Sequence, residues 1–288
     1  MSAWRLIITG CGTSHGNPPW GYPEHHSEDP RDHRRRSGAV LQGPAGEVIL
    51  IDAGPDLMYQ LRDPYANWDG RSYPRDCITA CDGLLLTHVH ADHCHGLNEL
   101  RHLNRLMDGG GITIYGHHAH LAELERMFPY CFLPVDEAYH LATPLLTTRP
   151  VEDHEHLTVA GIHCIPFEMS HGPAGRVNGY RIGGLGYCTD CKVLPEAADA
   201  LLQDLDLLVL DMLRDAEHPT HMNWDEAAEV IERLQPRRTV LVHMGYEVRY
   251  QEWESRLPAG VELAYDGWSA EFGRELPISL NGIGTDRP

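Results

Sequence analysis

No apolar run in these 288 residues approaches the roughly 18–20 residues that a membrane-spanning helix needs, which argues against a helical span. Cationic side chains are scarce as well, 23 against 42 acidic ones, for a formal charge of −19. Such a field repels a nucleic acid backbone, so a broad polyanion-binding surface is excluded. A small phosphorylated substrate stays open, because bound metal ions can supply positive charge locally. The N-terminal stretch Met1–Thr9 has no basic leader and runs straight into Gly10-Cys11-Gly12. It therefore reads as a first strand and not as a signal peptide, with a cytoplasmic address as the expectation. Internal repeats, low-complexity tracts and obvious linkers are also lacking, and one domain over 1–288 is expected. No second cysteine pair accompanies Cys188-Thr-Asp-Cys191 at zinc spacing, so the eight cysteines read as buried, reduced thiols.

Histidine, by contrast, is abundant, with 20 residues. Strand-like runs recur at Leu6–Thr9, Ala39–Gln42, Val48–Ile51, Gly83–Thr87, Ile112–Tyr115, Leu157–Phe167, Gly179–Ile182, Leu207–Leu210, Thr239–His243 and Val261–Ala264. Helical patterns fall at Gly96–Met107, His118–Met127, Pro195–Gln203, Asp225–Leu234 and Tyr250–Arg256. Strands next to strands, and later strands alternating with helices, predict an α/β fold of two mixed sheets face to face with helices outside. Residues 11–37, rich in proline and histidine and ending in Arg34-Arg35-Arg36, read as a long functional loop.

The densest chemistry lies in Leu84-Leu-Leu-Thr-His88-Val-His90-Ala-Asp92-His93, where an apolar strand ends in four ligand-type side chains within six positions. Imidazole suits zinc, manganese or iron, and a carboxylate is a harder companion ligand. Without a cation, such a cluster would be a crowded polar turn needing solvation or hydrogen bonds. His-Val-His-Ala-Asp-His resembles the H-x-H-x-D-H signature of the metallo-β-lactamase superfamily. Ile49-Leu-Ile-Asp52, Met169-Ser-His171, Tyr187-Cys-Thr-Asp190 and Val240-Leu-Val-His243 resemble the remaining superfamily motifs, in order.

The resemblance implies the αββα sandwich of that superfamily and two divalent ions, Mn²⁺ or Zn²⁺. His88, His90 and His171 would hold one, and Asp92, His93 and His243 the other. Asp190 would bridge them, and Asp52 would support the loop from behind. A water between two such ions is acidified and aimed as hydroxide. Asp92 accordingly counts among the catalytic residues as well as the ligands.

Gly10-Cys-Gly-Thr-Ser-His-Gly-Asn-Pro and Arg34-Arg-Arg-Ser-Gly resemble PhnP-type phosphodiesterases, which open phosphoribosyl 1,2-cyclic phosphate, with ribonuclease Z as the next relative. Bacterial-type ribonuclease Z carries a tRNA-gripping arm between the positions of His171 and Asp190; here that interval is only 19 positions (190 − 171), so no tRNA is expected. The PhnP resemblance also implies a general acid near Leu210–Asn223, for which His221 fits best and His218 is the alternative. Ser14, His15 and Arg36 are the candidate substrate contacts. PhnP-type enzymes bind a structural zinc through cysteines in the first long loop, where this chain has Pro18–His26 without a cysteine; His25, His26 and His33 are the candidate replacements. The expected activity is phosphodiester hydrolysis on a small cyclic or nucleotide-like substrate, with ester, lactone or thioester hydrolysis as the alternative and a non-catalytic metal-binding module as a third reading. No membrane partner is expected, and a homodimer is compatible with the sequence.

Overall fold

The computed structural model describes residues 3–67, 74–132 and 143–273, so the ends of the expected 1–288 span lie outside it. Among the described residues, fourteen strands form two seven-stranded sheets. The first sheet contains β1 (Trp4–Gly10), β2 (Gly38–Gln42), β3 (Val48–Ile51), β4 (Gly83–Leu85), β5 (Ile112–Gly116), β6 (Leu146–Pro150) and β14 (Trp268–Phe272), in the order β14-β1-β2-β3-β4-β5-β6. The second contains β7 (Leu157–Val159), β8 (Ile162–Ser170), β9 (Arg176–Ile182), β10 (Leu185–Cys188), β11 (Leu207–Asp211), β12 (Thr239–Val242) and β13 (Val261–Leu263), in the order β13-β12-β11-β10-β9-β8-β7. Each sheet is antiparallel in one half and parallel in the other, with β3 to β6 and β10 to β13 the parallel runs. Within these runs β3, β4, β11 and β12 are short, apolar and buried, as strands covered on both faces must be.

The described residues also form six α-helices: α1 (Leu57–Arg62), α2 (Ala91–Cys94), α3 (Leu100–Leu106), α4 (His118–Met127), α5 (Trp224–Leu234) and α6 (Tyr250–Glu254). One apolar core fills the space between the sheets, through Leu6, Ile49, Phe167, Leu185 and Val209, and continues to Ala227 and Trp253 on α5 and α6. A second core lies under α1, α3 and α4, on the other face of the first sheet. Helix α5 starts as its sequence predicts. Asn223 accepts the Glu226 N–H at 3.0 Å, and Glu226 reaches back to the Asn223 N–H at 3.0 Å.

Three expectations are corrected. The strand read over Leu157–Phe167 is a hairpin, because Ala160 and Gly161 both take positive φ and turn the chain between β7 and β8. The helix read over Pro195–Gln203 is only a 3₁₀ turn at Glu196–Ala198 followed by looser turns. Its carbonyls serve another purpose: the guanidinium of fully buried Arg181 donates to Leu201 O at 3.1 Å and Gln203 O at 2.7 Å. The pattern read as one helix over Gly96–Met107 begins with a 3₁₀ turn at Leu97–Glu99 and becomes α-helical only in α3.

Candidate metal centre

Every predicted ligand sits just past the carboxyl end of a strand, on the rim where the two sheets meet. Asp52 follows β3, the His88–His93 segment follows β4, and His171 follows β8; Asp190 and His243 follow β10 and β12. Asp52, Asp190 and His243 all adopt left-handed backbone, with φ of 63°, 54° and 60°. Asp and His tolerate this region better than most residues, and non-glycine residues held there gather at functional sites. Two glycines let the loops meet. A Cβ on Gly54 would lie 2.0 Å from Asp92 O, and one on Gly96 would lie 1.9 Å from Gly54 O. Through that contact Ala53 N–H donates to His93 O and Gly96 N–H to Ala53 O, both at 2.7 Å, so the Asp52 loop carries α2.

The side chains converge in two groups that share one carboxylate. His88, His90, His171 and Asp190 form one, and Asp92, His93, Asp190 and His243 the other; in each, the ligand atoms lie within 4.8 Å of one another. All seven residues are buried except His90, which opens to solvent. The rings are oriented from outside. His93 Nδ1 lies 2.6 Å from Asp52 Oδ2, His88 Nδ1 3.0 Å from Thr87 Oγ1, and His171 Nδ1 2.7 Å from Thr220 O. Asp52 in turn accepts the Thr87 N–H and hydroxyl, both at 2.8 Å. His243 Nδ1 faces Ser37 Oγ at 3.0 Å and Asp190 Oδ1 at 3.2 Å.

These residues fit a pair of divalent ions. Nε2 of His88 and of His93 is buried and has no hydrogen-bond partner, although both rings are fixed through Nδ1. Burial holds His88 well below the ordinary imidazole range and pushes His171 down to about 4, which keeps both rings neutral, the form that binds metal. Burial also opposes charge on His93, but Asp190, Asp52 and Asp92 around it outweigh that and raise it well above its usual value. Three carboxylates turned on one imidazole constitute a local demand for positive charge, and imidazole with carboxylate suits manganese, iron or zinc.

Asp52 lies behind His93, on its Nδ1 side, and is in neither ligand group. Asp52→Asn keeps the size but loses the charge on the Nδ1 side. It should weaken metal binding about 10–100-fold by chelator competition. Unchanged affinity would mean that Thr87 and packing suffice to orient the ring.

His221 stands beside the ligands, its ring centre 4.8 Å from that of His171 and 4.6 Å from that of His243. Its Nδ1 lies 2.8 Å from Oδ2 of Asp211, the last residue of β11, a partner that the sequence reading missed. Burial works against charge on this ring, but Asp211 prevails and pushes it up to about 9. His218 is farther out, with its ring centre 5.4 Å from that of His221 and its Nδ1 turned to Thr220. His221, His218, Ser14 and His15 line one cavity of about 280 Å³ together with Tyr246.

The arginine run has other duties. Arg34 is fully buried, donating to Asp32, Gly245 O and Val248 O, and Arg35 donates to Asp63 O at 3.0 Å. Arg36 lines a neighbouring cavity of about 820 Å³ with His15, but its fork is held by Asp56 at 2.9 and 2.6 Å. His25 stacks on Tyr246, while the rings of His26 and His33 meet at a tilt elsewhere; among the described residues these three form no metal-holding group. All eight cysteines are free thiols, seven of them buried.

Residues 47–244 match the β-lactamase superfamily domain family. The chain is 30% identical over 270 residues to an octanoyltransferase of Porphyromonas gingivalis, covering 92% of this chain but only about half (51%) of that relative's length. It is 28% identical over 308 residues to coenzyme PQQ synthesis protein B of Cupriavidus necator, covering 91% of this chain and 97% of the relative. A crystal structure of a diphosphatase from the PhnP family superposes with a TM-score of 0.81 at 31% identity, covering 96% of this chain and all of that one. With the two ligand groups, the paired seven-stranded sheets and a match across 47–244, the chain belongs to the metallo-β-lactamase superfamily.

Proposed function

We propose that this chain is a dinuclear phosphodiesterase for a small substrate, cyclic or nucleotide-like. The observation that carries the reading is the His221–Asp211 pair, Nδ1 to Oδ2 at 2.8 Å, set against a double ligand group with a shared Asp190. His88, His90 and His171 would hold one divalent ion and Asp92, His93 and His243 the other. When bound, such a pair supplies an activated water and neutralises charge on a phosphoryl oxygen. The chain's own part is to hold a proton at His221 Nε2, opposite the Asp211 contact, where a leaving oxygen can take it. Ser14, His15 and His218 border the same small cavity and would orient the substrate. The short His171–Asp190 interval, filled here by β9 and β10, leaves no room for a tRNA-binding arm. Similarity to a PhnP-family diphosphatase over the full chain supports phosphoester chemistry.

The test is turnover of bis(p-nitrophenyl) phosphate by metal-stripped protein refilled with Mn²⁺ or Zn²⁺, with metal counted per chain. Two ions and clear cleavage are expected. Two ions with hydrolysis of p-nitrophenyl esters or lactones only would reassign the chain to the ester branch of the fold.

A further inference from the structure

A further cavity, of about 580 Å³, lies on the helix side of the first sheet between α1 and α3, and shares no lining residue with the cavity that His221 lines or with the one that Arg36 lines. Its volume is in the range of small-molecule sites. Leu61, Ile78 and Leu103, all nearly buried, line its apolar part. Met58 and Leu106 line it too, with 44% and 48% of their surfaces exposed. The same cavity is lined by Arg62, Arg101, Arg105 and His102, against a single acid, Glu99.

The charge pattern is unusual for a chain of net charge −19. Most described arginines have a carboxylate within 4 Å, as Arg31, Arg36, Arg149, Arg176, Arg233 and Arg256 do. Arg101 and Arg105 make no such ion pair among the described residues. They stand four positions apart on α3, where like charges repel by a few tenths of a kcal/mol. Exposed apolar surface beside a cluster of cations in an otherwise acidic protein has one complementary partner: a molecule with an apolar body and an anionic head.

We propose that this cavity is a binding site for an amphipathic anion of the medium-chain fatty carboxylate type, its tail over Leu61, Ile78, Leu103, Met58 and Leu106 and its head between Arg101 and Arg105. The site is separate from the metal centre and does not depend on the reaction performed there. The probe is decanoate, titrated by calorimetry into metal-loaded full-length protein, with decyltrimethylammonium as the equal tail of opposite charge. One decanoate per chain is expected, with no saturable binding of the cation. Arg101→Gln/Arg105→Gln should weaken decanoate at least tenfold, and Leu106→Glu should do so through the apolar side. Melting temperature and metal content establish that each variant is folded. Decanoate bound with equal affinity by the arginine double variant, as a carboxylate held by the metals would be, overturns the proposal. So does the absence of saturable binding to wild type, or equal binding of both probes.

Discussion

In the proposed two-ion site, Asp190→Ala should lower metal content to one ion per chain or fewer and cut the proposed phosphodiester turnover by about a thousandfold. Asp190 belongs to both ligand groups, and no other residue does. Its oxygens lie 3.1 Å from His93 Nε2, 3.2 Å from His243 Nδ1, and 3.8 and 3.9 Å from Nε2 of His88 and His171. Burial resists its ionisation, but His243 and His93 overcome that and hold the carboxyl well below the usual range. It is thus an anion facing four imidazoles on three loops. Removing it takes a ligand from each group and leaves those imidazoles facing one another. Ions in such a site supply several kcal/mol of transition-state stabilisation. At about 1.36 kcal/mol per tenfold, losing roughly 4 kcal/mol gives the stated factor. Asp190→Asn separates charge from shape: it keeps the side-chain size and should still lose the second ion. A variant that keeps two ions and near-normal turnover would remove the shared carboxylate from the mechanism.

The candidate ligand cluster was readable in the sequence because its spacing is local. Four ligands lie between His88 and His93, and each remaining one ends an apolar run that forms a strand. Strand ends on one rim are brought together by the sheets, so linear order carried most of the geometry. What escaped depends on pairings across long separations. Asp211 ends β11 much as Asp52 follows β3, and that likeness was the signal available for it. Its role appears only because the loop after β11 folds His221 back onto it. Arg36 looked like a substrate contact, since nothing in the sequence shows that α1 returns Asp56 to it across 20 residues. β14 was missed for the same reason: its alternation is short, and it is ordered by pairing with β1, as in Trp4 with Phe272 and Ile8 with Trp268. The helix read at Pro195–Gln203 failed because periodicity does not reveal a buried arginine competing for the same carbonyls. The left-handed backbone at Asp52, Asp190 and His243 is likewise invisible to pattern reading, although it aims these side chains.

His221→Ala should slow turnover about 10²–10⁴-fold on substrates with an alkoxide leaving group, while both ions stay bound. The ring belongs to neither ligand group, so its loss leaves the donor set whole. What is lost is a proton source held by Asp211 Oδ2 at 2.8 Å, beside the rings of His171 and His243. An alkoxide is a poor leaving group and needs that proton, whereas p-nitrophenolate departs without one. The effect of His221→Ala should therefore be much smaller on bis(p-nitrophenyl) phosphate than on a dialkyl or nucleoside cyclic phosphate. Asp211→Asn keeps the hydrogen-bonding shape but removes the charge that favours the protonated ring, and it should reproduce the same leaving-group dependence more weakly. This dependence separates proton donation from mere packing, since a packing defect would slow both substrate classes alike. If His221→Ala retains full activity on the alkoxide substrate, His218 in the same cavity becomes the residue to replace. An equal loss on both classes would make His221 a positioning residue for the rim formed by His171 and His243.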